Sequence, residues 1–234
     1  MDKMILYEDD ALLVVHKPAG IATESARIGQ ADIVSQLRNE RKRKGQDTYI
    51  GVVHRLDQPV EGLLVFAKNA ATAKALSLAL QNGKVTKRYA ALVAGIPSEN
   101  SGVCSDYLWK DSRTNLSRIV AKETKGAKKA ELRWQLCQAF PQKGFSLVEV
   151  ELFTGRHHQI RVQMAAAGMP LLGDRKYGTS SANALAECMG LEYTALIADK
   201  LSLVHPRTGE ILKFCIDFPQ KWNICSKIEK VKII

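Results

Sequence analysis

Gly51-Val52-Val53-His54-Arg55-Leu56-Asp57 is followed closely by Gly62-Leu63-Leu64-Val65-Phe66-Ala67-Lys68. The second piece is a short apolar run between a glycine and a lysine, and it reads as a buried strand. The first gathers a histidine, an arginine and a carboxylate just ahead of that strand. Loops held by a rigid scaffold are where binding and catalytic groups collect. Residue types alone favour a plainer reading, in which Asp57 caps a turn and Arg55 pairs with a surface acid.

Upstream, Leu12 to Val15 is apolar and runs into Lys17-Pro18-Ala19-Gly20, a strand followed by a turn. Ile33, Val34 and Leu37 are spaced for one helical face. That helix runs into Arg41-Lys42-Arg43-Lys44, cations suited to a helix C-terminus, and stops at Gly45. Downstream, Ala70 to Leu80 reads as a helix ending near Asn82-Gly83, and Tyr89 to Val93 as an apolar strand ending at Gly95. Val148, Val150 and Leu152 alternate with Glu149 and Glu151. Leu212, Phe214, Ile216 and Phe218 alternate with polar Lys213 and Asp217, so both stretches read as half-buried strands. His157 to Ala167 places Ile160, Met164 and Ala167 on one helical face, closed by Gly168. The pattern predicts an α+β fold with a mixed, largely antiparallel central sheet flanked by helices. With no repeat and no Pro- or Ser-rich linker, residues 1–234 read as a single domain.

Lys and Arg number 34 against 24 Asp and Glu, a net charge of +10. Such an excess attracts polyanions, with nucleic acid ahead of an anionic membrane surface. No apolar run approaches the roughly 20 residues of a membrane span, and the N-terminal acids Glu8, Asp9 and Asp10 argue against a signal peptide. The five cysteines, Cys104, Cys137, Cys188, Cys215 and Cys225, form no CxxC pair. They predict neither a zinc site nor a disulfide framework, a cytoplasmic location, and burial as small core residues.

Two further segments could carry chemistry. Lys87-Arg88-Tyr89 opens the second apolar run, where Tyr89 taken alone is a strand aromatic. Thr154-Gly155-Arg156-His157-His158-Gln159-Ile160-Arg161 is dense in groups that bind phosphate or orient a carboxylate. Adjacent histidines on a helix point about 100° apart, so no metal site is expected there.

Taken in order, HRLDxxxxGLLVFAK, KRYAALVAG and FTGRHHQIR resemble the motifs of the RluA-type family of RNA pseudouridine synthases. Lys17-Pro18-Ala19-Gly20 is similar to that family's KPAG turn, Gly173-Asp174-Arg175-Lys176-Tyr177-Gly178 to its GDxxYG segment, and His205-Pro206 with Thr208-Gly209 to its HPxTG hairpin. The resemblance spans nearly the whole chain. It implies a pseudouridine synthase catalytic fold with a central active-site cleft. Many relatives also carry an S4-type RNA-binding module at the N-terminus; the short segment ahead of the Asp57 loop is taken up by the KPAG turn and a helix, so the expectation is a stand-alone catalytic domain. The resemblance departs at three places: Val60 and Glu61 stand where the family has Thr-Ser, and Gln163 where it has histidine.

The reaction implied detaches uracil from C1′ of its ribose, turns the base and rejoins it through C5, a rearrangement that calls for no metal or organic cofactor. A carboxylate suits it, either attacking the anomeric carbon or taking a proton from the sugar. By resemblance Asp57 is that carboxylate, Tyr89 stacks on the base and takes a late proton, and Arg161 favours the ionised aspartate. The target must be flipped out of its stack, and Arg55 fills the vacated space with its planar guanidinium. His54, Arg156 and His158 line the pocket or hold phosphate and loop geometry, while Lys17, Lys87, Arg175 and Lys176 contact the RNA backbone. The expected partner is structured rRNA or tRNA, the expected state a cytoplasmic monomer. Two other readings stay open: a non-catalytic RNA-binding module, and a hydrolase that releases free uracil.

Overall fold

The computed structural model describes residues 4–25 and 29–222. In chain order the elements are β1 (Ile5–Glu8), β2 (Leu12–Lys17), α1 (Ile33–Arg43), β3 (Gly51–Val52), β4 (Glu61–Ala67), α2 (Ala70–Gln81) and β5 (Val85–Ala94). There follow β6 (Ser101–Asp111), β7 (Leu116–Val120), β8 (Lys128–Phe140), β9 (Phe145–Leu152), α3 (Gln159–Ala166), α4 (Ser180–Cys188), β10 (Leu196–Val204) and β11 (Ile211–Cys215). The fold is a mixed, mostly antiparallel α+β arrangement. Its described residues form two compact units, one built from residues 4–25, 29–87 and 198–217, the other from 88–197 and 218–222.

In the first unit, β2 and β4 are buried on both faces, which is why each reads as an unbroken apolar run rather than an alternating one. They pair antiparallel, Val14 opposite Val65 and His16 opposite Leu63. Their side chains join Leu76 of α2 and Leu201 and Leu203 of β10 in one core. β4 also packs closely on β10: a Cβ on Gly62 would lie 2.5 Å from the Ala198 nitrogen, so only glycine fits there. Asp32 caps α1 by accepting the Ser35 N–H, and Asn69 caps α2 through Thr72. At the other end of α1, Arg41 is buried and paired with Glu8 at 2.7 Å, so the basic run is not wholly solvated.

The HPxTG segment is a strap within this unit. Nδ1 of His205 accepts the N–H groups of Arg207 and Thr208, which leaves the Nε2 proton for Asp9 at 2.8 Å. Burial raises the Asp9 carboxyl, but bonds from Leu12, Ala11, Tyr7 and His205 outweigh it and hold the pKa at about 2.

The second unit carries the strand order β5-β9-β8-β6-β7, antiparallel throughout, with β7 at the edge. α3 lies against β6 and β7, and its Val162 meets Leu108 of β6 and Ala130 of β8. It begins at Gln159, later than its apolar spacing suggests, because His158 adopts the left-handed region at φ 54°.

The cysteines depart from expectation. Cys137, Cys188 and Cys215 are exposed and Cys104 is half-buried, because each sits on a solvent-facing position of its strand or helix. Cys225 lies outside the described residues. Among the described residues no helix is long and apolar enough to cross a membrane, and no three His, Cys, Asp or Glu gather as a metal site would need.

Candidate active site

In the first unit the Asp57 loop is pinned on both sides of the aspartate. Leu56 and Val60 are buried and anchor it by apolar contact. The Thr23 hydroxyl donates to the Leu56 carbonyl at 3.0 Å and accepts the Leu56 N–H at 3.1 Å. Gly20 N–H donates to the Gln58 carbonyl, while the Gln58 side chain returns a bond to the Gly20 carbonyl. The Val60 N–H closes the turn onto the Asp57 carbonyl at 3.0 Å. Burial also explains the departure at Val60: an apolar side chain satisfies a site that water does not reach.

Lys17 completes this clamp, and here the expectation of an RNA backbone contact is corrected. Its side chain is fully buried, and its ammonium donates to the carbonyls of Pro18, Ile21 and Gln58 at 2.9, 2.7 and 3.3 Å. Three protons meet three acceptors, so none is left for a phosphate. Burial pushes the Lys17 pKa down to about 7, while the negative charges of Asp57 and Glu61 pull it back up. Glu61 thereby gains a role: it pairs with His16 at 2.8 Å and helps keep Lys17 charged. Removing that charge lowers the Lys17 pKa further. Glu61→Gln is therefore expected to lose activity at a lower pH than the wild type on the alkaline side of its kcat/KM profile. Superimposable profiles would rule out this coupling.

His54 serves loop geometry. Its Nε2 accepts the Val65 N–H at 3.2 Å, a bond that β3 would supply if it were longer than two residues. That nitrogen is therefore unprotonated. Burial, and then the Lys87 charge, push the His54 pKa down to about 3, so the ring is a neutral strap. Burial likewise lowers Lys87. Arg55, between these pinned neighbours, is exposed.

In the second unit Tyr89 is buried within β5, opposite Val150. Arg161, on α3, forms a two-point bridge to Asp174, Nε to Oδ2 at 2.8 Å and a terminal nitrogen to Oδ1 at 2.7 Å. Both side chains are almost wholly buried. Burial raises the Asp174 carboxyl, but Arg161 and the N–H groups of Lys176 and Tyr177 outweigh it and lower the pKa. The Tyr177 ring lies under the Arg161 guanidinium at 5.2 Å. Its hydroxyl is 2.7 Å from His158 Nδ1 and accepts the Ser117 N–H at 2.8 Å. Asp174 and Tyr177 carry a sequence signal only through the GDxxYG segment.

The loop before α3 is folded by its own polar side chains. Gln159 accepts from Thr154 and from the Arg156 N–H, and donates to the Glu131 carbonyl. Arg156 is exposed and anchored by Nε to the Lys129 carbonyl. Arg175 is exposed, and Lys176 reaches the Asn115 carbonyl at 2.9 Å. Gln163 donates to Asp106 and to the Ala130 carbonyl, while its own buried carbonyl oxygen has no hydrogen-bond partner among the described residues.

The sequence model of the family described as RNA pseudouridylate synthase matches residues 11–166, about two thirds of the chain. The chain belongs to that family. As a member it is an isomerase that converts uridine in RNA to pseudouridine. It is 34% identical over 232 residues to the ribosomal large subunit pseudouridine synthase D of Zymomonas mobilis, covering 96% of this chain and 72% of that one. It is 31% identical to the tRNA pseudouridine synthase C of Pasteurella multocida, covering 93% and 92%. Among solved structures, human RNA pseudouridylate synthase domain containing 1 superposes with a TM-score of 0.72 at 27% identity, covering 92% of this synthase and 83% of that chain. Human RNA pseudouridylate synthase domain containing 4 gives 0.74 at 23%, covering 94% and 90%, a likeness of fold.

Proposed function

We propose that this synthase modifies specific uridines in structured rRNA or tRNA, with Asp57 as its catalytic carboxylate. The observation that carries the reading is the immobilised loop: the residues on both sides of Asp57 are held by Lys17, Gly20 and Thr23. A group that must meet C1′ or a sugar proton in one geometry gains rate from such fixing. Tyr89 is assigned to stacking on the base and to late proton removal at C5, and Arg161 to keeping the aspartate ionised. Arg55, exposed on a rigid loop, fills the space that the flipped base leaves. Arg156, Lys87, Arg175 and Lys176 hold phosphates, and His54 and His158 keep the loops in shape. The family match runs from one compact unit into the other, which supports a single catalytic domain. The enzyme is assigned to the cytoplasm as a monomer.

Each cycle must exchange the hydrogen at C5 of the target uridine with solvent. Total RNA from cells lacking the gene, labelled at C5 of uridine, is expected to release label when the purified enzyme is added. A map of pseudouridine with and without the gene is expected to lose a discrete site. Release of free uracil instead would assign the chain to N-glycosidic hydrolysis.

A further inference from the structure

One short turn holds the Arg161 guanidinium in two directions. Asp174 bridges it through two parallel hydrogen bonds, and the Tyr177 ring lies under it at 5.2 Å. A two-point carboxylate bridge fixes a guanidinium within its own plane, while a ring against its face resists tilting. Asp174 and Tyr177 move as one piece, because the Tyr177 N–H donates to the Asp174 carboxylate at 3.2 Å.

The Tyr177 hydroxyl is in turn held from β7 and from the start of α3. It accepts the Ser117 N–H at 2.8 Å and lies 2.7 Å from His158 Nδ1. The Ser117 Oγ lies 2.8 Å from His157 Nδ1, and the His157 ring stacks on His158 at 3.6 Å. Ser117, Tyr177, His158 and His157 therefore close a ring of contacts, with Ser117 and His158 buried inside it.

The ring is built at a backbone cost. His158 adopts φ 54°, a conformation that few residues other than glycine take. Such outliers persist where the surroundings over-determine them, and they gather at functional sites. A helix start does not call for it. Asp32 and Asn69 begin α1 and α2 from extended backbone and cap them with their side chains. His158 caps nothing with its side chain and turns it to Tyr177 instead.

We infer that Tyr177 is a positioning residue of the reaction, held by the Ser117–His157–His158 ring so that it fixes the direction of the Arg161 guanidinium. This role rests on the reading of Arg161 as the group that keeps the proposed catalytic aspartate ionised. A charge of fixed direction stabilises its partner without reorganising during turnover. A guanidinium free to tilt still pairs with Asp174 but loses that fixed direction.

Wild type and variants are to be compared by kcat at saturating RNA, RNA affinity and Tm, using a transcript that the wild type modifies. Tyr177→Phe keeps the ring and removes the hydroxyl that Ser117 and His158 hold. A shift of about 1 Å can cost on the order of 100-fold in rate, so kcat is expected to fall about 10–100-fold while the Kd for RNA stays unchanged. His157→Ala, which opens the ring at its half-buried member, should lower kcat by less. A residue that only packs would lower Tm and leave kcat intact at temperatures where the variant is folded. That result, or a loss of affinity alone, overturns the inference. Should Tyr177→Phe fail to fold, His157→Ala decides by the same criteria.

A second arm repeats these changes in an Arg161→Lys background. Lysine keeps a charge for Asp174 but has no planar fork to orient. Arg161→Lys is expected to lower kcat by itself, and Tyr177→Phe to add little to that loss, because the two act as one unit. Fully additive losses would mean that Tyr177 acts apart from Arg161, so this role would fall while the reading of Arg161 stood. Full kcat in Arg161→Lys would have the same meaning, since direction would then not matter. Full kcat in Arg161→Met with Asp174→Asn would instead remove the reading of Arg161 itself.

Discussion

Asp57→Asn is expected to abolish C5 hydrogen release while RNA binding survives. Asparagine keeps the size of the side chain and removes its charge, so the anchors of the loop, Leu56, Val60, Thr23 and Lys17, stay in place. What disappears is the group proposed as nucleophile or base. Where groups act as a unit, losing one costs on the order of 10⁴-fold in kcat, so residual turnover should fall below ordinary detection. Binding should be held by the cations elsewhere, because a carboxylate repels phosphate. Asp57→Asn removes one of the two charges that raise the Lys17 pKa, so the comparison belongs well below pH 7, where Lys17 keeps its proton in both proteins. Full activity in the variant would move the chemistry to another group. Lost binding together with lost activity would instead point to a collapsed loop.

The sequence made the strands and the motif legible, but not what the motif rests on. β4 and α2 announced themselves because continuous burial and an Ala-Leu helix leave strong patterns. The β6–β7 hairpin left none: Gly102 lies under the Trp134 ring, and Val103 points a hydrophobic side chain at solvent. α4 stayed hidden for a similar reason, since it buries only Ala182 and Ala186, too small to mark a face. Lys17 misled in a basic chain because a lysine is ordinarily exposed. Nothing local reports that its ammonium meets three carbonyls contributed by separate turns. Arg161 was visible as a charged residue, but its acid, Asp174, lies in the loop after α3, and only folding brings the two together.

Breaking the Arg161–Asp174 bridge carries the largest expected effect on stability. Both side chains are almost wholly out of water, and two parallel hydrogen bonds join them. Removing one partner of such a pair costs about 3–5 kcal/mol, because the other is left buried with its charge poorly compensated. For a chain of 234 residues that is a fall of roughly 6–20 °C in Tm, which calorimetry of Asp174→Asn would read directly. Asparagine keeps an oxygen for the Lys176 and Tyr177 N–H groups, so the turn itself should hold. The double variant Arg161→Met with Asp174→Asn separates the two functions of the bridge. It removes the buried cation along with its counter-charge, and replacing both members of a buried pair is often close to neutral. Its Tm should recover most of the loss. Its activity should not, if Arg161 serves the proposed catalytic aspartate as well as the fold. A double variant that regains both stability and turnover would reduce Arg161 to a packing residue.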